Sequence, residues 1–365
     1  MFPSDIIPPY INALSPYEPG KRVEDVAKEL GLSKVIKLAS NENCLGPNPK
    51  VLEALKKALP GIHRYGDAAS VELKARIASK LGVSEDSVVC ANGSSEFILV
   101  LSHAVLGPGL SAVMSTPSFS LYHQNAAASG AEVREVKLRD YAHDPQALRA
   151  AVTDNTRLLF LDNPVNPTGA WLDAGKVCEL AESLPERCLF LLDEAYVEYA
   201  REKAPDYIRL LATGKVVILR TFSKLYGMAG LRAGYALMDP QLALALNKIR
   251  QPFNISLLAQ VGAMAALEDD DFAKRTKDAT WEGLDFLLSE LPKAGLATHP
   301  TQANFVMART GDLPGSEFAS KLFREGVIVR ALGSYGLHDM VRITVGLRDE
   351  NLSLLSAARK VLGKA

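Results

Sequence analysis

Between about residue 31 and residue 250 the chain alternates short β-branched or aliphatic runs with segments of helical period, and no other feature restricts its fold as much. The runs are Val88–Ala91, Ser111–Ser115, Glu132–Lys137, Leu158–Asp162, Leu189–Leu192, Val216–Arg220 and Tyr235–Met238. The periodic segments include Lys50–Leu59, Val71–Leu81, Ser95–Val105, Ala174–Leu184 and Gln241–Arg250. Strands that alternate with helices predict an α/β fold whose sheet is mostly parallel and covered on both faces.

The pattern changes near residue 270. Asp269-Asp270-Asp271 suits the positive end of a helix dipole and opens a long amphipathic helix, with Pro292 and Gly295 at its end. Short runs follow at Ala303–Met307, Val327–Arg330 and Val341–Val345, with helices at Glu317–Glu325 and Glu350–Leu362. A chain of 365 residues exceeds what one core comfortably holds. The expected division is therefore an N-terminal arm with part of a small domain (1–30), a large α/β domain (31–265) and a small α+β domain (266–365). Five prolines among the first 20 residues make the arm read as extended, packed on its own body or on a partner.

Charge and composition narrow the function classes. Basic and acidic side chains nearly cancel, 41 against 42, so no basic excess points to nucleic acid. No apolar run is long enough for a membrane span. The start, Met1-Phe2-Pro3-Ser4-Asp5, lacks the basic and apolar regions of a signal peptide. Cys44, Cys90, Cys178 and Cys188 form no metal or redox spacing, and reduced thiols in a cytoplasmic protein are expected. The six histidines form no metal motif and read as structural or solvated.

In open α/β sheets, ligands bind beyond the carboxyl ends of the strands. The conspicuous polar residues stand there: Asn92-Gly93-Ser94-Ser95, Asn163-Pro164-Val165-Asn166-Pro167-Thr168-Gly169, Asp193-Glu194-Ala195-Tyr196 and Thr221-Phe222-Ser223-Lys224. Taken alone, Asp193 is a helix cap or the partner of a protonated heterocycle nitrogen. Taken alone, Lys224 is a solvated loop lysine or an amine made nucleophilic by a dry, cationic setting. Gly93-Ser94-Ser95 is a cap or an anion site at a helix start. With Lys224 and Arg232 at the same mouth, a bound phosphate is the better reading of that helix start.

Three of these stretches, with a fourth that follows them, resemble a known family. Asn166-Pro167-Thr168-Gly169, Asp193-Glu194-Ala195-Tyr196, Thr221-Phe222-Ser223-Lys224 and Leu231-Arg232-Ala233-Gly234-Tyr235 follow one another as in fold-type-I, class-II pyridoxal-phosphate-dependent aminotransferases. Finer marks resemble the histidinol-phosphate branch: Ser15-Pro16-Tyr17-Glu18-Pro19-Gly20-Lys21, Leu38-Ala39-Ser40-Asn41-Glu42-Asn43, Arg64-Tyr65, Asn92-Gly93-Ser94-Ser95-Glu96 and Val341-Arg342-Ile343-Thr344-Val345-Gly346. The resemblance implies a large seven-stranded sheet domain sandwiched by helices, with a smaller α+β domain beside it.

It also implies roles. Lys224 is the Schiff-base lysine of pyridoxal 5′-phosphate. Asp193 pairs with the pyridinium nitrogen, Tyr196 and Asn166 reach the phenolic oxygen, and Phe119 stacks on the ring. Ser94, Ser95, Thr221, Ser223 and Arg232 hold the cofactor phosphate, joined by Tyr65 from the neighbouring subunit of a homodimer. Tyr17, Asn43, Arg330 and Arg342 surround the substrate. The implied reaction converts L-histidinol phosphate and 2-oxoglutarate to imidazole acetol phosphate and L-glutamate, a step of histidine biosynthesis. Val165, Cys44 and Gly66 depart from the family pattern, where asparagine, proline and proline are usual. An aromatic amino acid aminotransferase and a threonine-phosphate decarboxylase share much of the pattern. A non-enzymatic nucleotide-binding protein would need a glycine fingerprint that Asn92-Gly93-Ser94-Ser95-Glu96 does not provide.

Overall fold

A computed structural model describes residues 6–16, 28, 31, 35–201 and 207–364. Its strands, in chain order, are β1 (Ile36–Leu38), β2 (Val88–Ala91), β3 (Ser111–Thr116), β4 (Glu132–Lys137), β5 (Thr156–Asp162), β6 (Leu189–Asp193), β7 (Val216–Thr221), β8 (Gly234–Leu237), β9 (Ala297–Thr298), β10 (Phe305–Arg309), β11 (Val327–Ala331) and β12 (Met340–Thr344). The helices are α1 (Pro9–Asn12), α2 (Pro49–Ala58), α3 (Val71–Leu81), α4 (Gly93–Val105), α5 (Ser120–Ala128), α6 (Pro145–Ala151), α7 (Ala174–Ser183), α8 (Pro240–Asn247), α9 (Leu257–Leu267), α10 (Asp270–Lys293), α11 (Gly315–Arg324) and α12 (Arg348–Val361).

Seven strands form one sheet in the order β2-β8-β7-β6-β5-β3-β4. β3 to β7 run parallel, and β8 lies antiparallel to both its neighbours. Alternation sorts the buried side chains of the central strands onto two faces. Leu159, Leu161, Phe190, Leu192, Val216 and Ile218 join a cluster that includes Leu73 and Ile77 of α3, Val177 of α7 and Ala259 of α9. Leu158, Phe160, Leu191, Val217 and Leu219 face Phe97 and Leu101 of α4, Tyr122 of α5 and Leu246 of α8. Helices on both faces are why these strands are apolar throughout rather than alternating with polar residues.

The second sheet has five strands in the order β1-β11-β12-β10-β9. Its core holds Ile36 and Leu38 of β1, Leu284 and Leu287 of α10, Phe318 of α11 and Leu354 of α12. The acidic start of α10 is as expected: the Asp269 carboxylate accepts from the Phe272 backbone N–H at 3.3 Å and caps the helix. Pro292 lies inside the last turn rather than ending the helix.

Two expectations need correction. A boundary at residue 31 assigns β1 to the large domain, but Ile36–Leu38 pairs in parallel with Val327–Val329 and is an edge of the small sheet. The arm is not wholly extended, because Pro9–Asn12 makes a helical turn with proline at its first position, where no N–H is needed. Tyr10 of that turn packs against Gly130, so this part of the arm lies on the body of its own chain. Phe2, also assigned to the arm, lies outside the described residues.

Among the described residues, no helix is long and apolar enough to cross a membrane, and no cluster of His, Cys, Asp or Glu could hold a metal ion. All four cysteines are unpaired.

Candidate active site

A cavity of about 790 Å³ opens where the carboxyl ends of the large sheet meet the small sheet. The topology explains what collects there. β2, β3, β5, β6 and β7 all end at this edge, and the antiparallel β8 begins at it. Ser94, Ser95, Phe119, Asn166, Asp193, Tyr196, Thr221, Ser223, Lys224 and Arg232 therefore line one cavity although they span well over a hundred residues of sequence. The small sheet contributes Arg330 and Arg342.

Asp193 ends β6 with 4% of its surface exposed. Its carboxylate accepts from the Tyr122 hydroxyl at 2.8 Å and from the Ala195 backbone N–H at 3.0 Å. Burial raises its pKa to about 7. The Tyr122 bond opposes the rise, and the nearby Asp162 carboxylate adds to it. An acid in that setting calls for a cationic partner inside the cavity.

Lys224 follows β7 and is half-buried. Its Nζ donates to the Ser40 carbonyl at 3.3 Å and lies 5.4 Å from the centre of the Tyr196 ring. Burial, followed by the Arg342 charge, brings its pKa down to about 7, while Glu42 pulls the other way. Tyr196 is buried, and its hydroxyl accepts from the Asn41 side-chain amide at 2.9 Å. Burial pushes that phenol up, against the Arg342 charge and the Asn41 bond.

One end of the cavity is built to take an anion. α4 begins at Gly93, and no side chain caps its first turn. Its N–H groups and dipole thus face the cavity near Ser94 and Ser95. Arg232 has left-handed backbone (φ 57°) and reaches across Gly93, with its Nη1 donating to Ser223 Oγ at 3.3 Å and to the Ala229 carbonyl at 3.0 Å. A Cβ on Gly93 would fall 2.5 Å from the guanidinium, so only glycine admits this approach.

At the other end, Arg330 and Arg342 are register partners on β11 and β12, so they project from the same face of the small sheet. Like charges directly opposite each other are unfavourable until an anion lies between them. Arg342 is buried. Its Nη1 donates to Asn166 Oδ1 at 2.5 Å and its Nη2 to the Ala39 carbonyl at 2.9 Å, while Nε has no partner.

Of the expected substrate residues, Asn43 does not line the cavity. The Asn43 side chain is turned away from the cavity. Its amide donates to the Leu225 carbonyl at 2.7 Å and its oxygen accepts from the Leu45 N–H at 2.9 Å, so it braces the backbone behind Lys224. Asn41, two residues earlier with φ 53°, is the asparagine that faces the site. Tyr65 is 82% exposed, stacks on Phe253 with ring centres 4.6 Å apart, and does not line the cavity. Tyr17 lies outside the described residues. Asp162 and Glu42, not among the expected site residues, also line the cavity. Asp162 closes an apolar run just as Asp193 does, which is a signal available in the sequence.

A seven-stranded mixed sheet, a small second sheet and a desolvated lysine opposite a buried acid define an enzyme with the fold-type-I aminotransferase architecture. The chain belongs to the family of class I and II aminotransferases, whose family model matches residues 33–358. It is 40% identical over 352 residues to histidinol-phosphate aminotransferase 2 of Carboxydothermus hydrogenoformans, covering 96% of this chain and 97% of that one. It is 41% identical over 358 residues to histidinol-phosphate aminotransferase 2 of Pseudomonas aeruginosa, with 97% of each chain covered. A crystal structure of histidinol-phosphate aminotransferase from Sinorhizobium meliloti in complex with pyridoxal-5′-phosphate superposes with TM-score 0.90 at 30% identity, covering 98% of this chain and 97% of that one. A Thermus thermophilus aspartate aminotransferase variant shares the fold at TM-score 0.85 and 24% identity, covering 97% of this chain and 99% of that one.

Proposed function

We propose that this aminotransferase uses pyridoxal 5′-phosphate to convert L-histidinol phosphate and 2-oxoglutarate to imidazole acetol phosphate and L-glutamate, in histidine biosynthesis. The observation that carries the reading is the Arg330–Arg342 pair facing Lys224 from the small sheet, in a chain about 40% identical to histidinol-phosphate aminotransferases over nearly its full length. Guanidinium forks match phosphate and carboxylate alike, so one pocket serves the phosphorylated amine, L-glutamate and 2-oxoglutarate in turn.

The site fits the cofactor. Gly93 leaves room that a Cβ would fill, Asp193 is a buried acid awaiting a cation, and Lys224 is an amine kept from full protonation. When bound, the cofactor supplies the electron sink that makes the substrate carbon acidic. Ser94, Ser95, Thr221, Ser223 and Arg232 hold its phosphate. Asp193 keeps a proton on its ring nitrogen. Asn166 and Tyr196 bond its phenolic oxygen, with Asn41 orienting the Tyr196 hydroxyl. Phe119 covers one face of the ring.

Lys224 would hold the cofactor covalently, and its freed amine would take a proton from the substrate carbon as base and deliver it as acid to the cofactor carbon bonded to the amine nitrogen. Arg330 and Arg342 orient the substrate by its anionic end. Asn166 and the Ala39 carbonyl hold the Arg342 guanidinium in place for that task. The active unit in this reading is a homodimer, with Tyr65 of each chain completing the phosphate site of the other. The four unpaired cysteines suit a cytoplasmic enzyme.

The reading is tested by half-reactions followed through the cofactor spectrum. Histidinol phosphate should convert the holoenzyme at least tenfold faster than phenylalanine, tyrosine, aspartate or threonine phosphate. Faster conversion by an aromatic amino acid would overturn the substrate assignment. Conversion with loss of carbon dioxide would overturn the reaction type.

A further inference from the structure

Asp162 and Asp193 end neighbouring parallel strands as register partners, Asp162 opposite Asp193. Both are only 4% exposed, and both line the cavity. Two buried carboxylates side by side are costly, so the second calls for a reason. The surroundings of Asp162 are specific. Its Oδ2 accepts from the Asn166 backbone N–H at 2.7 Å, and its Oδ1 has no hydrogen-bond partner. His143, whose side chain is fully buried, sits 3.4 Å from that free oxygen. His143 Nε2 also lies 2.8 Å from the Asp162 backbone carbonyl. A carbonyl can only accept, so the Nε2 nitrogen carries the ring proton. The other nitrogen, Nδ1, lies 2.7 Å from Ser115 Oγ. Ser115, His143 and Asp162 thus form a buried file that ends at the cavity wall.

We propose that Asp162, seated on His143 and Ser115, is a positioning residue of the reaction: it fixes the Asn166 backbone and lays a second negative charge beside Asp193 in the wall of the cofactor cavity. The inference rests on the cofactor reading above and goes beyond it by assigning a role to Asp162, His143 and Ser115. Other ionisable groups share the cavity with this pair: Tyr122 from α5, Tyr196 after β6, Lys224 after β7, Arg342 from β12, and Glu42 and Arg232, whose charges also act on Lys224, while Glu194 is paired with Arg220. The Asp162 charge is already felt by Asp193, Tyr122 and Tyr196, each of which it holds toward the protonated form.

The pair divides the work. Asp193 meets the ring nitrogen. Asp162 does not need to touch the ring, because a fixed charge one strand away acts through a medium of low dielectric. It stabilises positive charge on the ring and on the lysine-linked nitrogen. It also ties that charge to Asn166, the residue held by Arg342 from the substrate side.

The test is the pH titration of the visible absorption band of the bound cofactor, which changes as the lysine-linked nitrogen loses its proton. Asp162→Asn keeps the shape and an acceptor for Asn166 but removes the charge. One charge about 6–12 Å away, at an effective dielectric of about 20, moves such a midpoint by about one to two pH units. The midpoint should therefore fall by that amount, and kcat should fall more than KM changes. Asp162→Ser, smaller but still an acceptor, should shift it the same way and stands in if the amide does not fold. Folded, cofactor-loaded variants that titrate at the wild-type pH overturn this inference and leave the cofactor reading intact. A wild-type protein that shows no such band overturns both.

Discussion

Lys224 holds a neutral amine at a pH where an exposed lysine is almost wholly charged. Burial and the Arg342 charge bring its pKa down from 10.5 to about 7. Only the neutral amine attacks a carbonyl. Covalent loading of cofactor-free protein should therefore speed up about tenfold per pH unit below about 7 and level off above it. Stopped-flow absorbance checks this, and a rate still climbing at about pH 9 refutes it. Lys224→Ala should lose all borohydride-fixable cofactor and about a thousandfold or more in kcat. Asp193 gives a prediction of opposite sign. Folded, it keeps its proton up to about 7, whereas its ordinary value is 3.8. Between these values the folded state binds more protons than the unfolded state, so stability falls as pH rises from about 4 to about 7. Asp193→Asn should flatten that slope in urea unfolding of the cofactor-free protein. Glu198, pushed by burial to about 7 as well, leaves part of the slope in place. Lys224 acts in a separate window. Its lowered value makes stability rise with pH between about 7 and 10.5.

Elements place these residues, and the starts and ends of elements are where substitutions are expected to be felt. The start of α4 depends on Gly93, with φ 75° and Arg232 against it. Gly93→Ala strains the backbone by roughly 1–2 kcal/mol and displaces the guanidinium. Cofactor affinity should fall about tenfold or more in equilibrium dialysis, with little change in the affinity of loaded enzyme for substrate. At the end of β6, Glu194 turns away from the cavity to meet Arg220 of β7 at 2.7 Å. Glu194→Gln removes the carboxylate bonded to that arginine, with Glu198 still near it, and should cost about 1–3 kcal/mol in denaturant unfolding. Much of this was legible in sequence. The strands of the large sheet are short apolar runs, and each hands its last polar residue to the same edge, so motifs far apart could be read as one site. β1 was not legible, because three residues carry no period and its partner Val327 lies far along the chain. The choice between Asn41 and Asn43 was also hidden. Both stand in one motif, and only the positive φ of Asn41, fixed by bonds from its backbone and side chain to Thr344, decides which faces the cavity. α9 shows a related limit: Leu257–Leu267 is apolar on nearly every side and gives no amphipathic signal.

In the whole molecule, two sheets each supply half of a pocket. The large sheet offers the lysine, the acid and the anion nest; the small sheet offers the paired arginines. A third contribution is expected from outside the chain. Tyr65 is 82% exposed and stacks on Phe253, itself 43% exposed, and Ile62 and Leu59 in the same stretch are 60% and 48% exposed. An apolar cluster of this kind, with a tyrosine whose hydroxyl reaches none of its own cavity, suits a surface that a second copy covers. The homodimer reading then separates two roles that substitution can tell apart. Phe253→Asp places a charge in the contact and should shift sedimentation toward monomer, with cofactor affinity falling together with dimer content. Tyr65→Phe keeps the stack and removes only the hydroxyl. It should leave the dimer intact and weaken cofactor binding by about tenfold or more, the value of one hydrogen bond to a charged phosphate. Adding free phosphate to the assay should blunt the difference between Tyr65→Phe and wild type, because both then compete for the same nest. A Phe253→Asp monomer that binds cofactor as tightly as the wild-type dimer would show that each chain completes its own site.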